Sequence, residues 1–172
     1  LEVASLYNQG MPTNLLVNRN NYQSGNPTVF NTKQVDFDGS DVHLKVDSAY
    51  GTFTGSISFW YKRDNTTGTQ YLFDARGDAG SGTGYALFSS SQTVSIPSGT
   101  RYVNGVAGNI SMPSGEWHHL VITGISLVIN EDIKFGTRHS VESNLDGQIS
   151  QIGLWNTTLT ADEVSSLYNH GL

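Results

Sequence analysis

Short runs of alternating apolar and polar residues recur along most of this chain and leave room for little helix. The clearest run is Ser56-Ile57-Ser58-Phe59-Trp60-Tyr61, in which Ile57 and Phe59 fall on the same face of an extended strand. Further predicted strands lie near residues 35–38, 43–46, 71–73, 85–88, 93–96, 101–103, 117–122, 127–129 and 147–155. Many short strands spaced by about 8–12 residues are typical of an antiparallel sandwich or jelly roll.

The predicted strands also indicate which large side chains form the core. In the last strand, the alternation predicts that Ile149 and Ile152 lie near the core, around a β-bulge. Trp60, Trp117 and Trp155 fall within strand segments, so we predict that they too are core residues.

One amphipathic helix is predicted at the C-terminal end of the chain. Thr160-Ala161-Asp162-Glu163 has the pattern of a capping box, in which the first and last side chains satisfy each other's backbone N–H groups. Val164, Leu167 and Tyr168 then follow at helical spacing and form one apolar stripe.

The beginning of the chain nearly repeats this helix. Residues 2–11 align with residues 163–172 at a constant offset, and seven of the ten aligned pairs are identical. The repetition predicts one period of a tandem array. We therefore expect a seam helix over residues 1–11, a linker and lead-in coil over 12–32, and the domain itself over 33–172. The seam helix either ends a preceding module or is an N-terminal copy that docks elsewhere.

Composition narrows the classes of partner. The 172 residues carry a formal net charge of −6 and no basic run, so binding to nucleic acid through phosphate contacts is not expected. No apolar run approaches the length of a membrane span, so we expect no membrane insertion. The chain has no cysteine, which excludes disulfides and thiolate metal sites. The few Lys and Arg residues favour an extracellular or virion-surface location.

Three segments resemble the laminin G-like, concanavalin A-like lectin-glucanase jelly-roll superfamily, to which pentraxins are related. They are Val35-Asp36-Phe37-Asp38-Gly39-Ser40 with the strand at 57–61, Gly115-Glu116-Trp117-His118-His119-Leu120-Val121-Ile122-Thr123, and the stretch 145–156 that leads into the capped helix. The resemblance implies an all-β fold, an antiparallel β-sandwich jelly roll with a short C-terminal helix. In the family a Val-Asn-Gly hairpin often follows the Trp-His-His strand. Here Val103-Asn104-Gly105 precedes it, which leaves the topology over residues 100–130 open.

Catalysis is not expected from the carboxylates. Glucanases of the resembled fold carry Glu-x-Asp-x-Glu on one strand, which places the acid and the base on the same face of the cleft, and no such run occurs here. Glu131 and Asp132 are neighbours and would point to opposite faces of a strand. We therefore predict that the protein is not an enzyme.

Calcium is the one cofactor that the resemblance implies. Pentraxin-type relatives bind it through acidic loops, and the carboxylates in similar places here are Asp74, Asp78, Glu131 and Asp132. The alternative is that these side chains are solvated loop carboxylates that stabilise turns. His118 and His119 are adjacent, so they would point to opposite faces of a strand and could not bind one metal together.

Glycans are the candidate ligand, because aromatic rings stack on sugars while nearby carboxylates bind their hydroxyls. The candidate ligand-binding residues are Tyr71, Asp78, Tyr102 and Glu131.

The predicted function is a non-catalytic binding or adhesion module of a larger surface-exposed assembly, with a phage-like virion appendage or capsid-decorating protein as the first choice. Its partners would be neighbouring repeat modules or other subunits of a particle, together with glycans. The alternative is a calcium-dependent, lectin-like domain of a cell-surface adhesin. Glycoside hydrolysis ranks below both.

Overall fold

The structure, a computed structural model, describes residues 34–47, 51–77, 80–129 and 132–170. The predicted seam helix at 1–11 and the linker at 12–32 lie outside the described residues. The strands are β1 (Val35–Asp38), β2 (Leu44–Asp47), β3 (Gly51–Arg63), β4 (Thr69–Asp74), β5 (Tyr85–Ser89), β6 (Thr100–Val103), β7 (Val106–Ala107), β8 (His118–Ile129), β9 (Asp132–Phe135) and β10 (Asp146–Trp155). One helix follows, α1 (Ala161–His170).

The strands form two antiparallel sheets that pack face to face. A six-stranded sheet has the order β1-β10-β3-β8-β6-β7, and a four-stranded sheet has the order β2-β9-β4-β5. Long strands β3 and β8 pair along most of their length in the middle of the larger sheet. The predicted all-β, antiparallel β-sandwich with a short C-terminal helix is confirmed.

The core between the sheets is built from the apolar face of each alternating strand. Ile57 and Phe59 of β3 are fully buried, as the alternation in that strand predicts. The Phe59 ring meets Phe73 of β4 and Phe135 of β9 edge to face, with ring centroids 6.2 and 6.4 Å apart. These contacts join the two sheets across the centre of the sandwich.

The outer face of the six-stranded sheet is covered by α1. Val164 is fully buried and packs with Val121 of β8 and Leu159 of the preceding loop. The capping box is confirmed, because the Thr160 backbone N–H donates to Glu163 Oε2 at 2.8 Å and the Glu163 N–H donates to Thr160 Oγ1 at 3.3 Å. Within the described residues, no helix is both long enough and apolar enough to cross a membrane.

Trp60 is almost fully buried, but beneath α1 on the outer face and not between the sheets. Its ring stacks on His119 and on Tyr168 of α1, with centroids 5.0 and 5.9 Å away. Trp155 is half-buried and also packs against the cluster under α1, whereas Trp117 is half-buried outside either core cluster. The larger sheet is therefore covered on both faces. This coverage explains why a run of consecutive residues in β3, which point alternately to opposite faces, is buried.

The order of strands over residues 100–130 is resolved by a hairpin. Asn104 and Gly105 connect β6 to β7, and both have positive φ, 50° and 79°. Two such residues form the tight turn whose twist matches a β-hairpin. β6 then pairs with β8. The hairpin of β6 and β7 therefore forms one edge of the larger sheet, beside β8, which is the next strand in sequence.

The prediction for Ile152 is wrong, because Ile152 lies inside the bulge of β10 and not beyond it. The register of β10 on β3 shifts between Ser150 and Gly153, and Gln151 has a φ of 51°. Ile149, before the bulge, is 1% exposed, whereas Ile152, inside it, is 37% exposed. The predicted bulge itself is confirmed, and it turns Ile152 out of the core.

Candidate functional site

Three loops converge at one end of the sandwich and enclose a polar cleft of about 370 Å³, which we call the end cleft. The loops connect β1 to β2, β3 to β4, and β9 to β10. The lining residues are polar or glycine: Asp38, Gly39, Asn65, Thr67, Thr69, Gln70, Ser143, Asn144 and Asp146. Small-molecule pockets in proteins typically measure about 300–1,000 Å³, so this cleft has the size for a small ligand.

Asp38 organises the first of these loops. Its Oδ1 accepts the backbone N–H groups of Ser40 at 2.9 Å and Asp41 at 3.3 Å. These bonds, that from Ser40 above all, hold the pKa of Asp38 below its ordinary value. Gly39 has a φ of 73° and lies against Asp146, so the turn requires glycine at this position. Asp38 is therefore a charged and fixed acceptor at neutral pH.

The middle of the end cleft is a network of amides. The Asn65 Nδ2 group donates to Asp146 Oδ2, and Asn65 Oδ1 accepts from Gln70 Nε2 at 3.0 Å and from the Thr67 backbone N–H at 2.8 Å. Gln70 Oε1 in turn accepts the backbone N–H of Asp146 at 3.4 Å. These mutual bonds fix the orientation of each amide before any ligand arrives.

Asn144 is held in the same way on the opposite wall. Its Oδ1 accepts from Thr137 Oγ1 at 2.6 Å, and its Nδ2 group donates to the carbonyl of Ser40. The adjacent Ser143 carbonyl accepts the backbone N–H of Tyr71 at 3.0 Å, which ties this wall to β4.

Two carboxylate oxygens remain available in the end cleft. No hydrogen bond from the described residues reaches Asp38 Oδ2 or Asp146 Oδ1. Among the described residues, the lining contains these two carboxylates and no Lys, Arg or His. The end cleft can therefore accept hydrogen bonds from hydroxyl groups or bind a cation, and its negative charge disfavours an anion.

The comparison with known families agrees with this architecture. A family model described as the concanavalin A-like lectin/glucanases superfamily matches residues 37–130, more than half of the chain. The chain belongs to this superfamily. No curated protein sequence matches it.

This concanavalin A-like domain is similar to several solved structures at low sequence identity. A heptameric SAP-like pentraxin from Limulus polyphemus is 14% identical with a TM-score of 0.55, over 78% of this chain and 81% of that one. The botulinum neurotoxin serotype G binding domain is 14% identical with a TM-score of 0.49, over 78% and 41%. The Ruminococcus gnavus IT-sialidase CBM40 bound to alpha2,3 sialyllactose is 10% identical with a TM-score of 0.49, over 79% and 98%.

The two described carboxylates of the predicted calcium set lie on the outer face of the four-stranded sheet. Asp74 is buried and forms an ion pair with Arg76 at 2.6 Å. Asp132 forms ion pairs with Lys134 at 3.1 Å and Lys45 at 3.3 Å. Asp74 and Asp132 are thus both paired with cationic side chains.

The rest of the calcium set cannot be placed, because Asp78 and Glu131 lie outside the described residues. In the described parts of the chain, no three His, Asp or Glu side chains are grouped closely enough to hold a metal ion. Calcium binding stays a prediction.

The two described tyrosines among the predicted ligand-binding residues lie on different sheets. Tyr71, on β4, is 7% exposed, and its hydroxyl accepts from Arg76 Nη2 at 3.3 Å. The Arg76 guanidinium lies 4.1 Å from the centroid of the Tyr85 ring. Tyr102, on β6, packs against the cluster under α1. The fold of this superfamily member therefore does not bring Tyr71 and Tyr102 together.

His118 and His119 point to opposite faces of β8, as predicted. His118 faces the sandwich core near Tyr61, with ring centroids 5.9 Å apart, and its Nε2 lies 3.1 Å from the Pro113 carbonyl. His119 faces α1, and burial lowers its pKa to about 4. Neither ring reaches the end cleft.

The end cleft was not predicted as a site, although its residues gave a local signal. Asp38-Gly39 and Asp146-Gly147 are each a carboxylate followed by glycine, typical of turns, and Asn65 begins another polar turn. The sequence pattern identifies three turns, but only strand pairing brings them to one end of the sandwich.

Proposed function

We propose that this concanavalin A-like domain is a non-catalytic glycan-binding module that takes a neutral sugar in the end cleft. The observation that carries the proposal is the pair of available carboxylate oxygens, Asp38 Oδ2 and Asp146 Oδ1, set among amides whose orientations are already fixed. Sugar hydroxyls donate to such acceptors, and a pre-ordered site avoids part of the entropy cost of binding.

The charge of the end cleft favours neutral sugars over acidic ones. The described lining residues carry two carboxylates and no cation, so a sugar carboxylate or sulfate would meet repulsion there. None of these described lining residues is aromatic. We therefore expect weak binding at each site, of the kind that presentation in several copies strengthens.

The same residues support a non-catalytic role. Glycoside hydrolysis needs one protonated carboxyl group as the general acid beside a second carboxylate. The hydrogen bonds to Asp38 lower its pKa and favour its charged form, the opposite of what a general acid requires.

We also propose that the module is part of a larger surface-exposed assembly, such as a virion appendage. Val164, Leu167 and Tyr168, through which α1 packs on the domain, recur in sequence as Val3, Leu6 and Tyr7. Analytical ultracentrifugation of the chain at micromolar concentration should then detect self-association. A strictly monomeric chain would count against an assembly formed through this domain.

A glycan array tests the binding proposal. The array should hold neutral and acidic oligosaccharides, and the purified chain should be applied with calcium and again with a chelator. We expect binding to neutral glycans, and a loss of at least about tenfold in Asp146→Asn, because a hydrogen bond to a charged group contributes about 1.5–3 kcal/mol. Asp64→Asn, which changes an exposed carboxylate outside the end cleft, is the matched control.

Each outcome of this experiment decides a point. Absence of glycan binding by a folded chain, or equal binding by Asp146→Asn and the wild type, would refute the proposed site. Loss of binding with chelator would show that recognition depends on a metal ion, and would favour the predicted calcium residues as its ligands. Release of reducing sugar from a bound glycan would refute the non-catalytic role.

A further inference from the structure

The loop between β9 and β10, residues 136–145, forms one wall of the end cleft, and we call it the wall loop. It carries Ser143 and Asn144 into the lining. Val141 and Ser143 both have left-handed backbone conformations, with φ of 54° and 56°. Such a conformation costs about 1–2 kcal/mol for a residue with a side chain, so other contacts must hold the loop in this shape.

Two buried charged side chains hold the wall loop at His139. Asp74 Oδ2 accepts the backbone N–H of His139 at 3.0 Å, and Lys134 Nζ donates to the His139 carbonyl at 2.9 Å. The Asp74 side chain is fully buried, and that of Lys134 is 6% exposed. The N–H group of His139 is therefore bound by a carboxylate and its carbonyl group by an ammonium group. Hydrogen bonds to charged groups are stronger than those between neutral groups.

These two side chains are themselves fixed on the sheet. Asp74 and Lys134 are cross-strand partners on β4 and β9. Arg76 binds Asp74 through two nitrogens, at 2.9 and 2.6 Å, and Asp132 pairs with Lys134 at 3.1 Å. The anchor of the wall loop is thus a rigid part of the sheet.

Bonds within the wall loop carry the anchored position to the end cleft. The Arg138 backbone N–H donates to the Glu142 carbonyl at 3.0 Å, and their side chains form an ion pair. Thr137 Oγ1 donates to Asn144 Oδ1 at 2.6 Å, and Leu145 N–H donates to the Gly136 carbonyl at 2.8 Å. Fixing His139 therefore also limits where Asn144 can lie.

We infer that Asp74 and Lys134 are positioning residues for the end cleft, which clamp the wall loop at His139 and so place Ser143 and Asn144 for a ligand. For its effect on glycan binding, the inference rests on the function proposed above. A buried ionic network of this kind is weak evidence for stability, and it is better explained by the unique position that it imposes on the loop.

Hydrogen–deuterium exchange of the full chain tests the clamp without any ligand. Lys134→Met removes the donor to His139 and keeps the apolar stem, whereas Lys45→Met removes a lysine of β2 that also pairs with Asp132. We expect exchange over residues 138–145 to rise at least about tenfold in Lys134→Met, the change that one lost charge-assisted hydrogen bond produces. Lys45→Met should leave this exchange unchanged.

A second variant covers the case in which Lys134→Met does not fold. Asp74→Asn keeps an acceptor for His139 but removes its charge, and it should raise exchange in the same segment by a smaller factor. Equal exchange in the Lys134 and Lys45 variants, or unchanged exchange in Asp74→Asn, would overturn the inference.

Glycan binding by the same variants separates the two proposals. Reduced binding in Lys134→Met, with Lys45→Met unaffected, supports both the clamp and the glycan site. If Lys134→Met exchanges faster in the wall loop but the wild type binds no glycan, the clamp is supported and the proposed glycan-binding function is refuted. Full glycan binding by Lys134→Met despite faster exchange would refute the positioning role.

Discussion

Protonation of His119 should destabilise the fold in mildly acidic solution. The His119 side chain is 3% exposed, stacks on Trp60 and Tyr168, and has no hydrogen-bond partner for Nδ1 among the described residues. Burial disfavours the charged imidazolium, which lowers the pKa from 6.5 to about 4 in the folded state. The folded chain thus holds His119 neutral where the unfolded chain would protonate it.

The sign and the magnitude follow from linkage. Between pH 6.5 and about 4 the unfolded state binds a proton that the folded state does not, so the free energy of unfolding falls as the pH falls through this window. Above pH 6.5 neither state is protonated, and His119 has no effect. At about 1.36 kcal/mol per pH unit, the loss that accumulates by pH 4 is about 3 kcal/mol.

Urea denaturation of the wild type and of His119→Phe between pH 7.5 and 4 measures this effect. Phenylalanine keeps a ring beside both Trp60 and Tyr168 and carries no titratable group. Other groups with lowered pKa values, such as His118 and Asp38, are common to both chains and cancel in the difference. The wild type should therefore lose about 3 kcal/mol more than the variant. Parallel stability curves would refute the reasoning.

Two further predictions concern the helix cap and the wall loop. Thr160→Ala should lower the free energy of unfolding by about 1 kcal/mol through loss of the capping bond, and Thr158→Ala, an exposed control, should change it little. Gly136→Ala would drive a Cβ into the Phe37 ring at a φ of 79°, whereas Gly68→Ala meets no atom at a similar φ of 69°. Urea denaturation should find Gly68→Ala destabilised by about 1–2 kcal/mol and Gly136→Ala by about 2–5 kcal/mol; similar losses in the two variants would contradict the close contact.

Most of the strands and the helix could be predicted, because they follow from local sequence patterns. The alternation in β3 gives the buried faces of Ile57 and Phe59 directly, and the capping box at Thr160 fixes the start of α1. Ile152 shows the limit of this reasoning. One extra residue in β10 reverses the alternation beyond it, and the position of that residue depends on pairing with β3, which the β10 sequence alone does not encode.

The end cleft could not be predicted for a related reason. Asn65 and Asp146 are 81 residues apart, and they meet because β3 and β10 are neighbours in the larger sheet. Each residue is a plausible turn residue when considered alone. Their shared function as cleft residues exists only once the sheet order is known.

The fate of the acidic residues follows from the same physics. Part of the compensation of Asp74 and Asp132 is local in sequence, since Arg76 and Lys134 each follow their carboxylate by two residues. The rest depends on the sheet, because Lys134 lies opposite Asp74 through the pairing of β4 with β9, and Lys45 reaches Asp132 from β2. A buried carboxylate must be compensated, and when a lysine or arginine does so, a cation has less to gain there. Asp38 and Asp146 differ in this respect, since no cationic side chain in the described part of the chain lines the end cleft. In the described structure their charge is balanced by hydrogen-bond donors and solvent, so these two carboxylates should be tested first for a ligand.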